Sequence, residues 1–200
     1  MSLRKRLNDL ETPAFFINRH IFRQNCELVR TAAHANGIYQ FRPHVKTHKT
    51  KEGCLIQAGI GSNVSDGAKV IGFVVSTIPE LAMIVDMAFH HECKSFRDIL
   101  YGIPICKSKL SAILRLKNEL SSVTNNEGVI HVLVDNSHQV DFLENFIISS
   151  SAADIKWSVY LKIDTGYHRA GVTCDSQGIS VATKIINSSC LTLKGLYSHW

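Results

Sequence analysis

The sequence predicts an α/β fold built on a parallel sheet. Six short apolar runs rich in β-branched and aromatic residues recur along the chain, and stretches of helical period lie between them. The composition agrees: 45% hydrophobic and 20% charged residues describe a globular chain able to bury a core.

The elements can be taken in order. Residues 1–11 read as an N-terminal extension. Its positive start resembles a signal peptide, but Leu7-Asn8-Asp9-Leu10-Glu11 replaces the apolar stretch a signal needs, so a cytoplasmic address is expected. A helix over Asn18–Asn36 carries Ile21, Phe22, Leu28, Val29, Ala32 and Ala33 on one side and is stopped by Gly37. The first two strands are Phe41–Lys46 and Val70–Thr77. Ser76 or Thr77, with Pro79 and Glu80, then starts a helix through Leu81–Phe89, with proline where a missing N–H costs least. Phe96–Gly102 is the third strand, followed by a stripe of Leu110, Ile113, Leu114 and Leu120. Val129–Val134 is the fourth, followed by a helix capped by Asn136 or Ser137 that shows Val140, Leu143, Phe146 and Ile147. Trp157–Ile163 and Leu191–His199 are the fifth and sixth.

Six strands suffice for an open doubly wound sheet, but no G-x-G-x-x-G follows the first one, so a dinucleotide-binding version has no support. A (β/α)8 barrel takes about 250 residues, and this chain would supply six of its strands. No run approaches 18 consecutive apolar residues, so no membrane span is expected. Six cysteines without a C-x-x-C pair read as reduced thiols.

Charge is unevenly placed. Residues 1–60 hold ten Lys/Arg against four Asp/Glu, so the net charge of +5 comes from the N-terminal third. A local excess suits an anionic small molecule at one place, and nucleic acid is not expected as a partner. The excess centres on Phe41-Arg42-Pro43-His44-Val45-Lys46-Thr47-His48-Lys49-Thr50-Lys51. While the strand lasts, alternation would put Arg42, His44, Lys46 and His48 on one face. A solvated basic loop is the bland explanation. A metal site is weaker: His44 and His48 are four apart, but Val45 stands where H-E-x-x-H needs its glutamate. The functional alternative is a lysine amine at a strand's carboxyl end, set among basic neighbours and able to attack an aldehyde. Further on, Lys162, Asp164 and Arg169 gather at the end of the fifth strand, where a plain turn with an Asp164–Arg169 pair would also explain them. Tyr197 and His199 end the sixth.

Together these segments resemble the barrel domain of the alanine-racemase-like, type III fold of pyridoxal-phosphate enzymes, within it most nearly the eukaryotic D-serine dehydratases and their D-threonine aldolase relatives. The matching residues are Thr12-Pro13 and Asn25, R-P-H-V-K-T-H-K-T at Arg42–Thr50 and Val75-Ser76-Thr77. They continue with Val134-Asp135-Asn136, Lys156-Trp157-Ser158-Val159, K-I-D-T-G-Y-H-R-A-G at Lys162–Gly171, and Tyr197-Ser198-His199.

The resemblance implies a (β/α)8 barrel of the alanine racemase N-terminal type, cut off after about six strands, with residues 1–200 forming a partial cofactor-binding domain. It implies that Lys46 is the catalytic lysine linked to pyridoxal 5'-phosphate. Arg169 would face the cofactor's phenolic oxygen, His199 would lie against the pyridine ring, Tyr197 would line the same pocket, and Asp164 would support the loop. The implied reaction converts D-serine to pyruvate and ammonia; a D-threonine aldolase and a non-catalytic carrier of the cofactor are the alternatives. Full-length members are expected to be homodimers acting on small D-amino acids and to carry a zinc ion in a C-terminal β domain, for which these 200 residues offer no ligands. By itself the chain is expected to be an incomplete, inactive portion of such an enzyme.

Overall fold

The computed structural model describes residues 6–61, 67–90, 93–149 and 156–199. The first five residues of the N-terminal extension therefore lie outside it, and Leu7–Asp9 form a single 3-10 turn.

Helix α1 (Arg19–Ala35) begins where the Asn18 side chain accepts the backbone N–H groups of His20 and Ile21, and it ends ahead of Gly37, whose φ of 77° no β-carbon favours. The chain continues through β1 (Gln40–Phe41), α2 (Lys51–Gln57), β2 (Lys69–Val70), β3 (Phe73–Val75), α3 (Ile78–His90) and β4 (Asp98–Pro104). It then passes through α4 (Leu110–Val123), β5 (Val129–Val134), α5 (Ser137–Ser149), β6 (Trp157–Ile163), α6 (Ser176–Asn187) and β7 (Leu191–Ser198).

Strands β3 to β7 form one parallel sheet in chain order, with a helix between each neighbouring pair. Sequential parallel strands with outer helices are consecutive staves of a barrel wall. A sixth stave precedes β3: Val45 N–H donates to Val74 O, Val74 N–H donates to Pro43 O, and His44 bridges Val74. Both expected strands in this region are shorter than their apolar runs. The first is regular only at Gln40–Phe41, because Pro43 has no N–H to give to a ladder. The second is divided, with β2 paired to β1 and β3 paired to β4. At the break, a β-carbon on Gly72 would stand 2.3 Å from Asp98 O, so the two backbones touch there.

Two helices that the apolar pattern did not announce owe their start to caps. Thr50 Oγ1 accepts from Gly53 N–H ahead of α2, and the Asp175 carboxylate accepts from Gln177 and Gly178 N–H ahead of α6. The first is too short, at seven residues, for a long apolar stripe, whereas the second turns Val181, Ala182 and Ile185 to the core.

The sheet's two faces are chemically distinct, as strand alternation requires. Ile99, Tyr101, Ile130, Val132, Val134, Trp157, Val159 and Leu161 pack outward with helix residues such as Leu81, Ile84, Leu116 and Leu143. The concave face holds a smaller cluster of Val74, Leu100 and Leu133, with Tyr160 and Tyr197 against it. Leu191 and Leu193 join the outer core but Tyr197 joins the inner cluster, although all three share parity. The register shift opposite Val159/Tyr160 accounts for this: one extra residue in β7 turns Gly195 and Tyr197 inward. No helix among the described residues is long and apolar enough to cross a membrane.

Candidate functional site

The concave face is polar at both ends. Toward the strands' amino ends, Arg42 grips Asp98 with both nitrogens, Nε to Oδ1 at 2.6 Å and Nη2 to Oδ2 at 2.9 Å. His131 Nδ1 lies 2.6 Å from Ser158 Oγ, and its Nε2 stands 3.5 Å from Asp98 Oδ1. Burial alone would raise the Asp98 carboxyl, but contacts from His131 and Arg42 outweigh it and hold the group at about 2. The Arg42 fork is the firmer of the two, since 3.5 Å is long for a hydrogen bond. Tyr160 closes this layer, edge-on to His131 at 5.2 Å and under the Arg42 guanidinium at 5.7 Å.

The carboxyl end is open and holds a cleft of about 360 Å³. On one side stand His44, Lys46 and Ser76; Gly102, Ile103 and Pro104 line it further round; Lys162, Arg169, Ala170, Tyr197 and His199 complete it. All four residues singled out in the sequence, Lys46, Arg169, Tyr197 and His199, meet here. Lys46 follows the first stave directly. Beyond it the chain tightens, with His48 and Lys49 N–H both donating to Val45 O. That turn overrides the shared face expected from alternation. His48 swings away to Gln57 Oε1 at 2.9 Å and packs edge-on against Phe22, while Lys49 approaches Glu80 Oε1 at 3.5 Å. Of the basic run, only His44 and Lys46 face the cleft.

The opposite wall is a loop held by its own backbone. Asp164 N–H donates to Val172 O and Val172 N–H to Lys162 O, which closes the loop's base. Asp164 Oδ1 accepts from Gly166 and His168 N–H, both at 3.0 Å, and Oδ2 meets His168 Nδ1 at 3.0 Å. These bonds lower the Asp164 carboxyl below its ordinary value, first those from His168 and Gly166 N–H. Asp164 is thus committed to the loop, as expected, and its partner is His168 rather than Arg169. Arg169 lies over the Tyr167 ring at 5.0 Å, and Tyr167 packs edge-on against His199 at 6.0 Å. Thr165 Oγ1 ties the loop to Ser198 Oγ at 2.6 Å.

Three basic side chains, Lys46, Lys162 and Arg169, line the cleft, and no carboxylate among the described residues does. The other titrating groups register that field. His44 is lowered to about 4, first by burial and then by Lys46. Lys162, only 4% exposed, is lowered by burial and then by Arg169. His199 is lowered by desolvation and then by Arg169, Lys46 and Lys162, whereas burial raises the Tyr197 phenol. The sequence reading did not assign Ser76 or Gly102 to the site. Strand alternation from Asp98 through Leu100 would have placed Gly102 inward, and Ser76 follows the end of its strand as Lys46 follows its own. Among the described residues no group of three His, Cys, Asp or Glu side chains could hold a metal ion.

Comparison with known proteins adds the following. Residues 17–200 match the family model for the alanine racemase N-terminal domain. The D-serine dehydratase of Schizosaccharomyces pombe is 36% identical over 198 residues, covering 98% of this chain and 43% of that protein. The D-serine dehydratase of Saccharomyces cerevisiae is 33% identical over 203 residues, covering 96% of this chain and 45% of that protein. Among solved structures, D-threonine aldolase from Filomicrobium marinum superposes with a TM-score of 0.71 at 21% identity, covering 95% of this chain and 44% of that one. The chain thus spans less than half the length of these relatives, and the likeness to the aldolase is one of fold.

Proposed function

The chain belongs to the alanine racemase N-terminal domain family, and from that premise we propose that it is the cofactor-binding barrel portion of a pyridoxal-phosphate-dependent D-serine dehydratase. One observation carries the reading. A lysine amine at the end of the first stave shares a cleft with Lys162, Arg169 and His199, and no carboxylate among the described residues lines it. Pyridoxal phosphate is an aldehyde bearing a dianion and a phenolate, so it needs a primary amine and fixed positive charge in one small space. A volume of about 360 Å³ suits a molecule of that size.

When bound, the cofactor supplies an electron sink for a carbanion at the substrate's α-carbon. The remaining work falls to side chains. Lys46 is the nucleophile that holds the aldehyde carbon. With its amine free, Lys46 would take the substrate's α-proton from the side of the cleft it occupies. Arg169, braced on Tyr167 and kept in place by the Asp164 loop, holds an anionic oxygen. His199 and Tyr197 form the flat wall beside it. Net loss of the α-proton and β-hydroxyl of D-serine as water, regained on hydrolysis of the aminoacrylate left behind, would give pyruvate and ammonia without a further co-reactant. Among the described residues no group of His, Cys, Asp and Glu side chains could hold a metal ion, and no step is routed through zinc.

The test is direct. Added pyridoxal phosphate should give a visible absorbance band with this chain. Borohydride reduction should fix the added mass on Lys46, and Lys46→Ala should abolish both. An unchanged band in Lys46→Ala would refute the reading. In a chain that passes, pyruvate release from D-serine against acetaldehyde release from D-threonine separates the dehydratase from an aldolase. Neither product would leave a carrier of the cofactor.

A further inference from the structure

Ser76 faces the same cleft and has no part in the reaction outlined above. It follows β3, and its position is fixed from behind. Its N–H donates to Glu80 Oε2 at 2.7 Å, while Glu80 N–H reaches Thr77 Oγ1 at 3.3 Å. Glu80 is itself only 4% exposed. This is a capping-box arrangement at the start of α3 displaced by one residue, and it leaves the Ser76 backbone little freedom.

The Ser76 hydroxyl lies 2.9 Å from His44 Nε2. The direction of that bond follows from the other ring nitrogen. Lys46 N–H points at His44 Nδ1 at 3.1 Å, and a backbone amide can only donate, so Nδ1 presents its lone pair. A neutral ring then carries its single proton on Nε2, and burial together with the nearby Lys46 charge keeps the ring neutral. Nε2–H therefore donates to Ser76 Oγ. The hydroxyl's own proton has to point elsewhere, and among the described residues it meets no acceptor.

We propose that Ser76 is a ligand-contacting hydrogen-bond donor, oriented by His44 and aimed at an anionic oxygen of the molecule that condenses with Lys46. The two ends of one imidazole thus set both groups: Nδ1 anchors the backbone of Lys46, and Nε2 commits the Ser76 oxygen as an acceptor so that its proton faces the cleft. His44 is a positioning residue in this scheme and Ser76 is the contact. The inference rests on the Lys46 reading above and extends it to the oxygen the ligand must offer.

The experiment titrates this chain and its Ser76→Ala and Ser76→Thr variants with pyridoxal phosphate and with pyridoxal, following the absorbance band, and then adds D-serine. A hydrogen bond to a charged oxygen is worth roughly tenfold or more in affinity. Ser76→Ala should lose that factor, and Ser76→Thr, which keeps the hydroxyl, should recover most of it. A loss with pyridoxal phosphate alone assigns the bond to the phosphate. A loss with both compounds assigns it to an oxygen on the ring. A loss confined to the response to D-serine assigns it to the substrate carboxylate. Equal behaviour of Ser76→Ala and the parent in all three arms overturns the proposal while leaving Lys46 untouched. Failure of the parent to give the band, or its persistence in Lys46→Ala, overturns the Lys46 reading and this inference with it. Should Ser76→Ala lose its fold by circular dichroism, Ser76→Cys, similar in shape but a weak donor, takes its place in the comparison.

Discussion

Replacing Asp98 by asparagine tests the polar layer beneath the cleft. The carboxylate receives two short bonds from Arg42, and the two side chains are 24% and 21% exposed. Its value falls from an ordinary 3.8 to about 2, against the opposing effect of burial and through contacts from His131 as well as Arg42. Allowing for partial exposure, that depression corresponds to roughly 2 kcal/mol of folding stability. The sign follows from linkage. The folded state holds the carboxyl ionised at lower pH than the unfolded state does. The contribution is therefore complete above the unfolded value near 3.8, and it is lost as pH falls through about 2. Asp98→Asn lacks this contribution and leaves a largely covered guanidinium without its counter-ion, so it should be less stable by about 2–3 kcal/mol near neutral pH. Urea unfolding followed by circular dichroism should show the gap between parent and variant closing between about pH 4 and pH 2. Adding Arg42→Met to Asp98→Asn should restore part of the loss, because the orphaned charge is then gone. A gap that stays constant down the pH range, or is smaller than about 0.5 kcal/mol at neutrality, would refute the assignment of this pair as a structural unit.

Three further outcomes are expected. Gly171 has a φ of 125°, and a β-carbon there would lie 2.5 Å from Asp164 N and 2.6 Å from Ile163 C; Gly171→Ala should cost about 2–4 kcal/mol by thermal melting and weaken pyridoxal phosphate binding through the displaced Arg169 loop. Phe73 is fully buried and stacked on Phe96 with ring centroids 5.4 Å apart, so Phe73→Ala should cost about 3–5 kcal/mol in urea unfolding. Asp175→Ala removes the cap of α6 and should cost about 1 kcal/mol, with Asp175→Asn near neutral; equal losses in the two would point to charge rather than capping.

How much of this was legible in the sequence depended on which physical signal each element carried. Val129–Val134 and Trp157–Ile163 coincide with their apolar runs because every second residue packs into the outer core, Ile130, Val132 and Val134 in one and Trp157, Val159 and Leu161 in the other. Helix α1 was legible from its helical period and its terminal glycine, and its Asn18 cap appears only in the structure. The break at Gly72 was not, since it arises from backbone contact with a strand 26 positions further on. The turn after Val45 hid likewise: alternation placed His48 beside Lys46, but Lys49 adopts a φ of 50° and the period of two ends there. Lys46, Arg169, Tyr197 and His199 were legible as strand-end residues. Ser76 was not, because its meaning lies in the hydrogen-bond direction at His44, which exists only once two staves are adjacent.

The concave face also divides its charges between the cleft and the layer beneath it. Below, Arg42 is neutralised by Asp98 at hydrogen-bond distance, so that end carries little net charge. Above, Lys46, Lys162 and Arg169 have no carboxylate among the cleft's lining residues, and Asp164, the nearest acid of the loop, is occupied by Gly166 and His168. Parallel strands add to this asymmetry. Helices α3 to α6 each begin beyond the carboxyl end of a strand, so their positive amino-terminal dipoles lie at the same end of the sheet as the cleft. One end of the wall is thus self-compensated and the other holds unspent positive charge. That division of labour requires binding of a dianionic aldehyde to weaken steeply with added salt, and stability from the partly buried Arg42–Asp98 pair to respond much less.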